Sequence, residues 1–160
     1  MGYQKEIERK FLVDSAKLPE LPEGARLIQG YLCFEPTVRV RTEEGPADQR
    51  KAYITIKGEG LVGRDEFEYD IPFEEATNLL QLAQSSLVSK TRYKLPLKEH
   101  PGLKWELDIF EGDNAGLTVV ELEMPDEAFD FPRPEWLGQE VTENPAYKNA
   151  ALSRHPFKKW

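Results

Sequence analysis

Apolar and polar residues alternate with a period of two along most of the first 124 residues, the pattern of strands with one buried and one polar face. The spacing predicts strands at 4–13, 26–34, 37–43, 51–58, 65–72, 89–97, 103–111 and 117–124. Turn residues separate several of them: Pro19, Pro22 and Gly24, then Glu44-Gly45-Pro46, Gly58 to Gly63, Pro101-Gly102 and Gly112 to Gly116. Most links are short enough for antiparallel neighbours. Phe73, Ala76, Leu79, Leu80 and Ala83 follow helical spacing, which predicts an amphipathic helix over 73–86 with Glu74 and Glu75 in its first turn. Asp14-Ser15 predicts a short turn at 15–18, and Pro134 and Pro145 each mark a helix start. The expected fold is mainly β: an eight-stranded antiparallel sheet closed into a barrel, with peripheral helices. Closure removes exposed sheet edges. A single domain, 1–160, is expected at this length.

The polar faces are charged, and the charges are sorted. Glu6-x-Glu8, Glu66-x-Glu68, Glu106-x-Asp108 and Glu121-x-Glu123 put acid pairs on four strands; Arg39-x-Arg41 and Lys90-x-Arg92 put base pairs on two. Lys10 continues the first strand's charged face and Lys57 closes the fourth. Half-burial alone explains any one of these strands. It does not explain the set, because like charges two apart on one face repel and a wet sheet mixes opposite charges across strands. The reverse faces (Ile7, Phe11 and Val13; Val38 and Val40; Ile54 and Ile56; Trp105, Leu107 and Ile109; Val120, Leu122 and Met124) are apolar. Either these fill the barrel and the charges face water, or helices cover them and the charges line a lumen. Alternation does not choose between the two.

Composition bears on that choice. The 160 residues carry a net charge of −8, with 31% charged residues. A general nucleic-acid binder carries a basic footprint, which this chain as a whole lacks. An anionic ligand would need a local cluster of cations or a bridging metal. Cys33 stands alone, which excludes a disulfide framework. No apolar run approaches the ~20 residues of a membrane helix, and a cytoplasmic setting with no membrane partner is expected. Clustered carboxylates suit Mg²⁺ or Mn²⁺, and clustered Arg and Lys suit phosphate oxygens. A lumen holding both suits a metal–polyphosphate complex.

The run Glu6-Ile7-Glu8-Arg9-Lys10 resembles the ExExK signature of the CYTH superfamily, the triphosphate tunnel metalloenzymes. The supporting residues follow in order: Arg39-x-Arg41, Lys57, Glu66-x-Glu68, Lys90-x-Arg92, Glu106-x-Asp108 and Glu121-x-Glu123, with Gln29-Gly30-Tyr31-Leu32 on the second strand. The resemblance implies an eight-stranded tunnel with a charged interior that acts on a small-molecule triphosphate with Mg²⁺ or Mn²⁺. It implies metal-side carboxylates Glu6, Glu8, Glu121 and Glu123, joined by Asp108. Lys10, Arg39, Arg41, Lys57, Lys90 and Arg92 would contact phosphate. Glu6, Glu8, Lys10, Lys90 and Tyr31 are the catalytic candidates, with Lys90 placed near Tyr31, and Glu66, Glu68 and Glu106 are further tunnel acids. The expected reaction is metal-dependent hydrolysis of inorganic triphosphate to diphosphate and phosphate. The same resemblance leaves open a class IV adenylate cyclase and a thiamine or nucleoside triphosphatase. A polyphosphate-binding module is the non-enzymatic alternative, and a homodimer is allowed.

Other charged and aromatic residues take plainer readings. Arg64, Lys94, Lys98 and Lys104 read as solvated charges, and Arg9, on the face opposite Lys10, as structural. His100 and His155 lie beside prolines in turn-like contexts; Trp105, Trp136 and Trp160 read as packing residues. No Ser-His-Asp or Cys-His arrangement and no Walker-type glycine loop is present.

Overall fold

A computed structural model describes residues 2–59 and 63–160. The strands are β1 (Gly2–Val13), β2 (Ala25–Phe34), β3 (Thr37–Glu44), β4 (Arg50–Lys57), β5 (Gly63–Asp70), β6 (Val88–Pro96), β7 (Lys104–Phe110), β8 (Thr118–Glu123) and β9 (Leu137–Glu140). The helices are α1 (Phe73–Leu80) and α2 (Asn149–Arg154), with short 3-10 turns at 15–17, 46–48, 112–114, 145–147 and 157–159. The eight predicted strands are all present. Part of the expected Gly58–Gly63 turn, residues 60–62, lies outside the described residues.

All pairings are antiparallel, in the order β5-β4-β3-β2-β6-β7-β8-β1, and β1 also pairs with β5. The long β1 makes this closure. Residues 2–7 pair with β5 and residues 8–12 with β8, so one strand joins both ends of the sheet. The result is the expected eight-stranded closed barrel. Outside it, β9 lies along the end of β1.

Two sequence expectations are corrected. The segment after Pro134 enters β9 rather than a helix. Leu137-Gly138 runs so close to β1 that a Cβ on Gly138 would stand 2.8 Å from the Leu12 carbonyl oxygen. Helix α1 ends at Leu80, short of residue 86. Ala83 and Leu87 still pack on the barrel, over Gly30, where a side chain would collide with Leu80, Ala83 and Leu87.

The apolar strand faces point outward and are covered. Val40 and Ala52 pack against Ala76 and Leu80 of α1. Phe11, Trp105, Leu107, Val120 and Leu122 lie under Phe131 and Trp136 from the segment after β8. Trp105 meets Trp136 edge-on at 5.4 Å. Arg9 lies on this outer side, paired with Glu140 of β9 and over the Phe131 ring, which gives it the expected structural role. A third apolar group is internal. Val88, Phe110 and Val119 lie on the lumen-facing side of their strands, and Leu152 of α2 packs against them, plugging one end of the barrel. With these covers in place the charged faces turn inward.

Candidate functional site

Seven acids and eight bases line one chamber of about 240 Å³ in the barrel interior. Glu6, Glu8, Lys10, Tyr31, Arg39, Arg41, Lys57, Glu66, Glu68, Lys90, Arg92, Glu106, Glu121 and Glu123 are all brought to it. Their distribution follows strand order. Strands β7, β8, β1 and β5 are contiguous and carry the acid pairs, while β4, β3, β2 and β6 complete the circle and carry most of the bases. The chamber therefore has an acidic half and a basic half.

Opposite charges meet at the two boundaries between these halves. At one, the Lys57 ammonium lies 2.8 Å from Glu6 Oε2 and 3.3 Å from Glu66. At the other, the Arg92 fork donates to both oxygens of Asp108, at 2.7 and 2.8 Å, and to Glu121 at 3.2 Å; Glu106 stands 3.3 Å away. Burial opposes the charge on Glu6, but Lys57 and Arg64 pull its carboxyl down to about 2. Burial likewise opposes Glu121, and Lys10, Arg92 and Lys90 hold it well below the usual carboxylate range.

Away from the boundaries compensation is weaker, and Arg64 stands 3.9 Å from Glu8. Glu8 is directly opposite Glu123 across β1 and β8, and Glu106 is opposite Glu121 across β7 and β8. Burial, then Glu121 and Glu6, push Glu8 well above its ordinary value. Burial, then Glu6, Glu66 and Glu106, raise Glu123 to about 7. On the basic side, the Nε groups of Arg39 and Arg41 are buried without a hydrogen-bond partner. Burial, then Arg39 and Arg92, depress Arg41, which finds Glu43 at 3.0 Å and the Tyr53 ring at 5.4 Å. Buried donors without acceptors cost about 1–3 kcal/mol each. One half of the chamber thus wants a cation and the other an anion.

Asp108 departs from the expected ligand set. It is fully buried, and Lys90 and Arg92 occupy both its oxygens, so it supports two bases instead of offering itself to a metal. Among the described residues, no three acid, histidine or cysteine side chains already converge into a metal cage. The donor chemistry still suits a hard divalent cation: the carboxylates of Glu8, Glu121 and Glu123, with Glu6 beside them, are oxygen donors whose mutual repulsion such an ion would relieve.

Lys90 is 1% exposed and donates to Asp108 at 2.7 Å and Asn149 at 3.1 Å, with the Phe110 ring 5.3 Å from its nitrogen. Burial lowers it to about 8 against the pull of Asp108. Tyr31 is buried in the chamber wall, stacked on Phe34 and opposite Arg39 across β2 and β3.

Several lining residues carried little signal in the sequence. Arg64, read as solvated, turns inward and donates to Glu6 at 2.9 Å, because the β1–β5 register sets it opposite Glu6. The segment from Val141 to Ala150 also lines the chamber with Thr142, Asn144, Tyr147, Lys148 and Asn149. It is tied to β1 where Lys10 donates its ammonium to the Tyr147 carbonyl at 3.0 Å and its amide to Thr142 Oγ1 at 2.9 Å. Lys94, Lys98 and Lys104 are exposed, as expected.

Residues 4–153 match the CYTH domain. The chain is 40% identical over 158 residues to an inorganic triphosphatase of Acetivibrio thermocellus, covering 96% of each chain. It is 38% identical over 152 residues to an inorganic triphosphatase of Nitrosomonas europaea, covering 92% of this chain and 96% of that one. The crystal structure of an inorganic triphosphatase superposes with a TM-score of 0.61 at 35% identity, over 92% of this chain and 93% of that one. A protein from Pyrococcus horikoshii shares the fold at a TM-score of 0.57 and 20% identity, covering 77% of this chain and 80% of that one.

Proposed function

Because the chain belongs to the CYTH domain family, we propose that it hydrolyses inorganic triphosphate to diphosphate and phosphate with Mg²⁺ or Mn²⁺. The observation that carries this reading is the divided chamber, with the Nε donors of Arg39 and Arg41 unpartnered and the carboxyls of Glu8 and Glu123 held above their ordinary range by burial and neighbouring acids. A metal–triphosphate complex satisfies both halves, and neither a free anion nor a free cation does. The chamber of about 240 Å³ is lined mostly by charged side chains, which suits an inorganic polyanion.

In this reading Arg39, Arg41 and Arg92 take phosphate oxygens through their forked N–H groups, and Lys10, Lys57 and Lys90 take them as point charges. Lys10 and Lys57 must then leave or share their present partners, Tyr147 and Glu6. Glu6, Glu8, Glu121 and Glu123 would hold the metal, which supplies charge neutralisation at the phosphoryl oxygens. Phosphoryl transfer depends mainly on positioning and charge stabilisation, and rigid strands provide both. Tyr31, whose ring stacks on Phe34, belongs to the wall that orients the chain of phosphates. A cytoplasmic setting is part of the proposal, supported by the free thiol of the single cysteine, Cys33.

The test is phosphate release from tripolyphosphate, ATP and thiamine triphosphate, each with Mg²⁺, Mn²⁺ or chelator. Release from tripolyphosphate is expected to be fastest and to stop with chelator. No release from any of the three, or cyclic AMP as the main product from ATP, would overturn the reading.

A further inference from the structure

We propose that Asn149, the first residue of α2, is a positioning residue that fixes Lys90 in the chamber through a direct hydrogen bond. The inference rests on the triphosphatase reading and adds a role for a side chain outside the charged strand pattern. Lys90 is attached by a flexible four-carbon stem, and an ammonium on such a stem contributes little unless its position is fixed. Two acceptors fix it: Asp108 Oδ2 at 2.7 Å on one side and Asn149 Oδ1 at 3.1 Å on the other. Asn149 does not float. Its Oδ1 also accepts from Gln29 Nε2 at 3.3 Å, and Gln29 is fully buried in β2.

The helix behind Asn149 is anchored as well. Leu152 is buried against Val88, Phe110 and Val119, and Ser85 donates its hydroxyl to Ser153 at 2.8 Å. Docking of α2 therefore sets where one ammonium stands on the floor of the site. An asparagine suits the place because its amide oxygen accepts from a cation without adding negative charge where phosphate must bind. The alternative is that the Asn149 contacts only tie α2 to the barrel.

A double-mutant cycle separates these roles. Asn149→Ala is expected to lower kcat on tripolyphosphate about tenfold, and to add less than a twofold loss in a Lys90→Met background. Asn149→Asp keeps the acceptor and adds a charge, so kcat should stay within about threefold of wild type while KM rises. Equal losses from Asn149→Ala in both backgrounds would overturn the positioning role. So would a tenfold fall in kcat for Asn149→Asp, which decides the matter alone if the alanine variant does not fold. The wild type is assayed alongside. If it releases no phosphate, the functional reading itself has failed; if it turns over and the losses are additive, only the role of Asn149 has.

Discussion

Replacing Glu8 with Gln should make the metal-free protein more stable while removing activity. Glu8 is buried beside Glu121 and Glu6, whose charges oppose its own. At about 5 Å and an effective dielectric of about 20, one such pair of full charges repels by about 3 kcal/mol. Glu8 avoids the full cost by keeping a proton, which burial, Glu121 and Glu6 all favour. The sign follows from that raised value. The folded state holds a proton that the unfolded chain releases near 4.5, so stability present below that pH is lost as pH rises towards the folded value. Gln has nothing to titrate. The gain from Glu8→Gln should be absent near pH 4 and reach about 1–3 kcal/mol at pH 8, a rise of about 3–8 °C in Tm for a domain of this size.

Divalent metal should instead stabilise the wild type more than the variant. At a hundredfold excess over its dissociation constant a ligand stabilises the folded state by about 2.7 kcal/mol. Mg²⁺ or Mn²⁺ should therefore raise the Tm of the wild type and raise that of Glu8→Gln much less. Calorimetry of both proteins in chelator and in metal, with tripolyphosphate turnover measured in parallel, makes the test. A Glu8→Gln variant less stable than wild type at pH 8 in chelator would refute the picture of a strained acidic half. Equal metal shifts for the two would remove Glu8 from the metal site.

The same reasoning extends to other positions. Arg41→Met removes a cation that burial, Arg39 and Arg92 disfavour; kcat/KM should fall about 10²-fold, while Tm stays level or rises, and a clear drop in Tm would show that Glu43 and the Tyr53 ring outweigh that cost. Glu140 is held below its usual range by the hydrogen bond from Arg9, so the pair contributes stability that is present above the unfolded carboxylate value and lost as pH falls through the folded one. The Tm difference between wild type and Glu140→Gln should accordingly shrink on acidification from pH 7 to pH 3. Gly138→Ala places a Cβ against the Leu12 carbonyl and should destabilise by about 1–3 kcal/mol in urea unfolding; a neutral result would mean that β9 moves aside freely.

What the sequence revealed and what it hid divide along one physical line. Period-two alternation states that Glu6, Glu8 and Lys10 share a face, and that Ile7 and Phe11 share the other, because adjacent strand residues always point to opposite sides. It does not state which face is the lumen. That is decided by the covers, Leu80 of α1 over Val40 and Ala52, and Trp136 and Phe131 over Phe11 and Trp105, and these contacts cross long stretches of chain. Local spacing therefore made most of the charged pairs legible and left single residues ambiguous. Arg64 has no like-charged partner two residues away, and only its pairing with Glu6, 58 residues distant, turns it inward. Asp108 errs in the other direction. Its acid-x-acid spacing with Glu106 matched the metal-side pattern, but β7 sets it against Arg92 and places it within reach of Lys90, whose N–H groups take both its oxygens. Asn149, Tyr147 and Thr142 carried no charge pattern at all. They enter the site because α2 fills the apolar end of the barrel and brings the preceding segment across the chamber, where it supplies one of the walls.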